Sequence, residues 1–380
     1  MKKILAFFKK ELMLTAALAA AVISCFIAPP SLERLAALDW RTLGILFMML
    51  CVLEGFKQEN ILRPVVLLSN RFKGMTGLSL FLIFGVFFSS MFVTNDVSLI
   101  IFVPLTILLF KGGKERYILP VITMENIAAI RGSLLMPFGS PQNLYLFGRS
   151  GVSVGHFMLH MLPLAAMSAV LLVIFVLILY RKEPKLKADV AKEEVAGEWK
   201  EENRGRRVMY VILFICVLCV IITRSSYWWV LLIGLLSLIL LADTALLKKV
   251  DFVLIATFFC FFLFSSSIAA HPGIAGFLKK AVAGNEYWWT IGLSQLISNV
   301  PATIVLYPFS ENFAGLIYGA DTAGLCSLIG SLASVINYRL YVREYPGNGG
   351  KFIRTFTLIS WAFFLIVVIP GLLLSKWAFF

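Results

Sequence analysis

The sequence predicts an all-α polytopic membrane protein built from inverted-topology repeats, each with a re-entrant hairpin and an unwound transmembrane helix. Three observations carry this expectation. Of 380 residues, 60% are hydrophobic and only 14% charged, with apolar runs near the roughly twenty residues that a helix needs to cross hydrocarbon. Two long apolar stretches are interrupted near their middles by polar residues. The two halves of the chain also align around those interruptions.

Taken in order, residues 1–34 open with lysines and an apolar run, followed by Pro29, Pro30 and Glu33 where a signal peptidase needs small residues. They read as a retained N-terminal transmembrane helix with its start in the cytoplasm. Further apolar runs lie near 40–56, 117–147, 156–180, 208–223, 226–243, 251–270, 317–341 and 354–375. With the first, near 12–28, they predict nine crossings of a cell membrane and a C-terminus outside. The stretch 78–110 is too long for one span, and halves of about fifteen residues would each rise only about 22 Å, short of a core of about 30 Å. It reads as a hairpin dipping in from the cytoplasm, and 287–310 as one dipping in from outside. This threading places 26 of the 34 Lys and Arg residues on the inside, where cytoplasmic loops concentrate positive charge.

The remaining boundaries follow. Residues 35–180 form the first repeat, 181–207 a polar cytoplasmic linker, 208–250 two connecting helices and 251–380 the second repeat. "SMFVTNDVSLIIFVPLT" (90–106) aligns with "SQLISNVPATIVLYPFS" (294–310) without a gap, pairing Asn95 with Asn299 and Pro104 with Pro308. Asp39-Trp40 and Asp251-Phe252 open the preceding spans, and "GSLLMPFGSPQN" (132–143) matches "GSLASVIN" (330–337). Inverted repeats of this kind are common in secondary transporters, whose site lies where the repeats meet.

Composition also excludes. The net charge of +13 belongs to cytoplasmic loops in so apolar a chain, not to nucleic-acid binding. All six cysteines lie in apolar runs, where no disulfide framework is expected, and Cys216-x-x-Cys219 reads as packing. His156 and His160 stand four apart but lack a third metal ligand, so they are given no role. Trp228, Trp229, Trp288 and Trp289 read as interface anchors. No nucleophile, metal set or phosphate loop supports a membrane enzyme, and the linker is short for a signalling domain. No cofactor is expected.

Irregular backbone at membrane depth is tolerated only where it is buried or lines a cavity. Ser298 and Asn299 therefore sit at a hairpin tip, with Pro301 in the first turn of the returning half-helix, where its missing N–H costs nothing. Helix N-termini there offer N–H groups to an anion, and C-termini offer carbonyls to a cation. Gly132, Pro137, Gly139 and Pro141 should unwind the helix after the first hairpin. Gly330 is followed only by Ser331, Ser334 and Asn337, so the second helix should unwind less. Charges inside spans are expensive. Asp96, Glu125 and Arg131 are the main ones: Asp96 and Arg131 form either a structural ion pair or a working set, in which Asp96 or Glu125 takes up a proton or sodium and Arg131 attracts an anion. Glu54 and Asp321 lie nearer span ends and suit solvated roles.

At "TNDVSLIIFVPLT", "GSLLMPFGSPQNLYLF" and "SQLISNVPATIVL" the chain resembles the ion transporter superfamily, most closely its citrate transporter and arsenite permease branch. Divalent anion/sodium symporters and one type of sodium/proton antiporter belong to the same superfamily. The resemblance covers about residues 35–375. It implies an elevator carrier, commonly a homodimer, that moves a small anion with a proton or sodium ion. By that similarity Thr94, Asn95, Asp96, Ser298, Asn299, Thr303, Ser133, Asn143, Ser331 and Asn337 would line the site. The divalent anion/sodium symporters carry Ser-Asn-Thr at both tips, whereas this chain has Thr94-Asn95-Asp96 and Ser298-Asn299-Val300. The extra carboxylate favours proton coupling and keeps cation/proton exchange open as an alternative to anion transport.

Overall fold

A computed structural model describes residues 11–29, 31–61, 63–110, 115–183, 186 and 204–377. Most of the linker expected at 181–207 lies outside the described residues. The described residues form helices and no strand. We label the longer helices α1 (Leu12–Ile27), α2 (Trp40–Gln58), α3 (Met75–Val93), α4 (Asn95–Phe110), α5 (Ile118–Ser133), α6 (Pro141–Ser150), α7 (Val154–Leu179), α8 (Arg204–Thr223) and α9 (Trp228–Ala242). They continue as α10 (Phe252–Ala269), α11 (Pro272–Val282), α12 (Glu286–Ile297), α13 (Asn299–Leu306), α14 (Phe313–Ala323), α15 (Leu332–Glu344) and α16 (Gly349–Ser375).

Five of these, α3, α7, α8, α10 and α16, are long and apolar enough to cross a membrane. Their burial pattern is that of a bundle in lipid: Leu177, Ile178, Ile212, Ile215, Leu365 and Ile369 are exposed, an outer surface that hydrocarbon and not water would cover. Nearly all of α5 and α14 is buried, so these two helices form the centre.

The two halves repeat the same element order. Asp39 caps α2 by accepting the Thr42 N–H at 3.0 Å, and Asp251 caps α10 by accepting the Leu254 N–H at 2.9 Å. Each half then carries a helix pair broken at one residue, a buried central helix, an irregular segment, a half-helix and a long terminal helix.

Both breaks reverse the chain. Ser89 Oγ donates to Ser98 Oγ at 2.8 Å, although nine residues of straight helix would separate them by about 13 Å. Gly85 lies against the ring of Phe102 for the same reason, and α12 packs on α13. The expected arms are about fifteen residues each, whereas α3 has 19. Arm length therefore does not keep this stretch from crossing. The reversal at Thr94 does.

The second irregular segment departs from expectation. α5 ends at Ser133 and α6 begins at Pro141, while α14 ends at Ala323 and α15 begins only at Leu332. The second helix thus unwinds at least as far as the first. Register explains the difference. A Cβ on Gly139 would collide with the Ser133 carbonyl, and one on Gly330 with the Ala323 carbonyl. Ser140 and Ser331 follow in the same extended conformation, at φ −145° and −146°. The counterpart of Gly330-Ser331 is therefore Gly139-Ser140, not Gly132-Ser133.

Candidate functional site

Thr94 and Ser298 adopt almost the same rare backbone geometry, φ 69° and ψ 159° against φ 73° and ψ 158°. Side chains with a Cβ avoid this region, and holding one there costs on the order of 1–3 kcal/mol. Glycine would be free of that cost, yet both positions carry a hydroxyl. Pro301 stands third in α13, inside the first turn where no intrahelical N–H is lost.

The tips meet in a narrow cleft of about 20 Å³, lined by Asn95, Asp96, Pro141 and Gln142 from the first half. The second half contributes Thr257, Phe258 and residues 298–301 with Ser331 and Leu332. These positions share a feature. Apart from Thr257 and Phe258 on α10, they open or immediately precede α4, α6, α13 and α15, so four helix N-termini converge on one space. Ser140, Ser298 and Ser331, which precede three of them, make no side-chain capping bond. Uncapped N–H groups and four positive dipole ends form an anion-favouring environment. Two acceptors oppose it, Asp96 Oδ1 and Gln142 Oε1, both buried without a hydrogen-bond partner.

The packing that makes the cleft is reciprocal. α4, the returning arm of the first hairpin, packs on α15 of the second half, and α13 packs on α6 of the first. The Asn299 N–H donates to the Gly330 carbonyl at 3.2 Å, and its side-chain amide donates to the Ala320 carbonyl at 3.2 Å. Asn95 folds back on its own turn, accepting the Asp96 N–H at 2.9 Å.

Of the residues the sequence singles out, Asn95, Asp96, Pro141, Ser298, Asn299, Pro301 and Ser331 line this cleft. The others lie elsewhere, each with a local reason. Thr94 is the strained apex, and its carbonyl accepts the Ser98 hydroxyl at 2.9 Å. Ser133 donates to the Ile130 carbonyl at 2.9 Å and Thr303 to the Asn299 carbonyl at 2.8 Å. Asn143 donates to the Ser133 and Leu134 carbonyls at 3.3 Å, tying down the unwound segment. Gly132 lies so close to the Phe87 carbonyl that no Cβ fits between them. Asn337 donates to the Ile122 carbonyl at 2.6 Å, and Glu125 accepts the Thr106 hydroxyl.

Arg131 requires a correction. Its partner is Asp321, not Asp96. Asp321 is buried, not solvated, with its side chain 4% exposed against 0% for Arg131. The two stand close to the ends of α5 and α14, Arg131 two residues before Ser133 and Asp321 two before Ala323. They thus hold matching places in the two halves and clasp each other at the centre. Arg131 Nε and Nη2 have no partner, and its guanidinium stands 5.9 Å from the ring centre of Phe363. His160, given no role from sequence, is buried and bonded to Tyr318 at 2.9 Å.

Sequence reading missed Gln142, Thr257 and the Asp321 partnership. Gln142 had a signal, being the residue after Pro141 in a stretch already expected to unwind. Thr257 is one threonine in an apolar helix and had none.

An all-helical, multi-pass membrane protein with paired broken helices meeting at a polar cleft is the architecture of a transporter. The chain belongs to the citrate transporter family, whose profile matches residues 3–323. It is 33% identical over 313 residues to the inner membrane protein YbiR of Escherichia coli (strain K12), covering 80% of this chain and 81% of that protein. It is 27% identical over 334 residues to an uncharacterized transporter of Methanocaldococcus jannaschii, covering 87% of this chain and 88% of that one.

Proposed function

We propose that the protein is a secondary active transporter for a small anion such as citrate, a dicarboxylate or an oxyanion, driven by a proton or sodium gradient. The observation that carries this reading is the convergence of four helix N-termini on the cleft. Such ends attract negative charge without any cationic side chain. Asp96 supplies the coupling logic. An ionised carboxylate beside the anion would repel it, so the anion enters with a proton or cation that neutralises Asp96. Arg131 does not attract the anion in this scheme, because Asp321 already neutralises it. On this reading the halves are inverted repeats that carry the cleft across the bilayer as an elevator, in a homodimer with the N-terminus cytoplasmic and the C-terminus outside.

Purified protein in liposomes should accumulate labelled citrate or succinate when a proton or sodium gradient is imposed, and Asn95→Ala or Asn299→Ala should abolish the uptake. Unchanged uptake in both variants removes the cleft as the site. The unpartnered carboxylate oxygen of Asp96 favours one second reading, a sodium/proton antiporter. Sodium pulses that shift an internal pH dye with no organic anion present would establish that reading instead. Net export of arsenite or another oxyanion would assign the permease role found in the same superfamily.

A further inference from the structure

Glu125 lies outside the cleft, in the junction where α4, α5 and α15 pack on one another. Ile122, Glu125 and Asn126 are spaced to share one face of α5. On α15, Ser334 and Asn337 meet that face: the Asn126 amide donates to Ser334 Oγ at 3.0 Å and the Asn337 amide to the Ile122 carbonyl at 2.6 Å. From α4, the Thr106 hydroxyl donates to one oxygen of Glu125. With both amide nitrogens engaged, three acceptors remain buried without a partner: Glu125 Oε2, Asn126 Oδ1 and Asn337 Oδ1. All three residues are 0% exposed.

A buried acceptor left unmade costs about 1–3 kcal/mol, and a bare buried carboxylate costs more. The neighbouring charges do not relieve it. Arg131 on α5 is held by Asp321 and Asp96 on α4 faces the cleft. Arg339, Arg343 and Glu344 on α15, and Lys351 and Arg354 on α16, are exposed. On α7, His156 is exposed and His160 is bonded to Tyr318. Tyr338 and Tyr341 on α15 pack on Phe352. Glu115 and Arg116 precede α5 on the exposed surface. The junction thus holds one carboxyl, two amide oxygens and a hydroxyl with no positive charge of its own, which is the donor set of a monovalent cation site.

We propose that Glu125, Asn126, Asn337 and Thr106 form a second cation site, apart from the cleft, that takes a sodium ion or a proton on Glu125. The inference rests on the anion-transport reading for its purpose, since it adds a second coupling cation, but not for its test. α4 joins the two sites, with Asp96 at its start and Thr106 ten residues on, so occupancy of one is transmitted to the other through a single helix.

The test uses full-length protein in detergent without any anion substrate, in an Asp96→Asn background that silences the cleft carboxylate. Sodium chloride against choline chloride at constant ionic strength should raise the melting midpoint of D96N, and the rise should vanish in D96N/E125Q. If the cation is a proton, the infrared difference between these two proteins should instead show the C=O stretch of a buried carboxylic acid. Thr106→Val, a milder change beside the carboxyl, should raise the half-saturating sodium concentration by about tenfold or remove the C=O band's hydrogen-bonded shift. It carries the test if E125Q fails to fold. The absence of both a sodium effect and a carboxylic band that depend on Glu125 or Thr106 would overturn the proposal, leaving trapped water as the partner of these oxygens. Failure of the anion reading would show separately, as a wild-type midpoint indifferent to every anion tried.

Discussion

The Arg131–Asp321 pair gives the sharpest prediction about what holds the two halves together. Removing one partner of a buried ion pair leaves the other charge uncompensated and typically costs about 3–5 kcal/mol. That range applies here with little discount for solvent, because the side chains are 0% and 4% exposed. The pair also begins from a poor position, with two guanidinium nitrogens unpartnered, so an apolar replacement of both residues forfeits little. We therefore expect R131M and D321L each to lose about 3–5 kcal/mol and the double variant R131M/D321L to recover most of it, a coupling on the order of 3 kcal/mol. Because the residues hold matching places in the two halves, the swap R131D/D321R should also restore folding better than either half of the swap alone. The assay is tryptophan-fluorescence unfolding of detergent-solubilised protein, with elution as a single species checked by gel filtration. Single variants within about 0.5 kcal/mol of the parent, the range expected of inert surface changes, would refute the clasp. Strictly additive losses in the double variant would do the same.

Two further outcomes follow from the backbone. Ser298→Gly relieves a strained conformation and should raise the melting midpoint, by an amount corresponding to roughly 1 kcal/mol or more, while weakening anion uptake because the tip hydroxyl is gone; a lower midpoint would show that the hydroxyl, not the backbone, dominates that residue's stability. Gly132→Ala should sharply reduce the yield of folded protein, since the new Cβ would collide with the Phe87 carbonyl, whereas Gly155→Ala, with nothing within 4 Å of the added carbon, should express at the parental level.

The parts of this molecule that were readable from sequence are those encoded over a few neighbouring residues. Asp39 and Asp251 announced helix starts because a carboxylate three residues before a free N–H is a local device. The breaks at Thr94 and Ser298 were visible because polar residues interrupted apolar runs, and Pro301 fitted a first turn. What could not be read was set by packing between distant segments. Nearness along the chain offers Asp96 as the partner of Arg131, but its true partner stands 190 residues away, brought in because α5 and α14 both pack on α16. The register of the second unwound segment is ambiguous in the sequence because Gly-Ser occurs twice in the first, at 132–133 and 139–140. Only the crowding of Gly139 and Gly330 against equivalent carbonyls decides between them. The family resemblance places Asn143, Thr303 and Ser133 at the site, and each hydroxyl or amide is engaged by its own backbone neighbourhood.

The reciprocal seating of α4 on α15 and of α13 on α6 means that neither half owns a finished cleft. Expressed as separate polypeptides cut within 187–203, the two pieces would each carry a dangling arm, and nothing able to hold a solute would exist until they found one another. On the proposed transport reading, binding would be a property of the partnership, and a ligand that bridged both walls would act as a rivet between them.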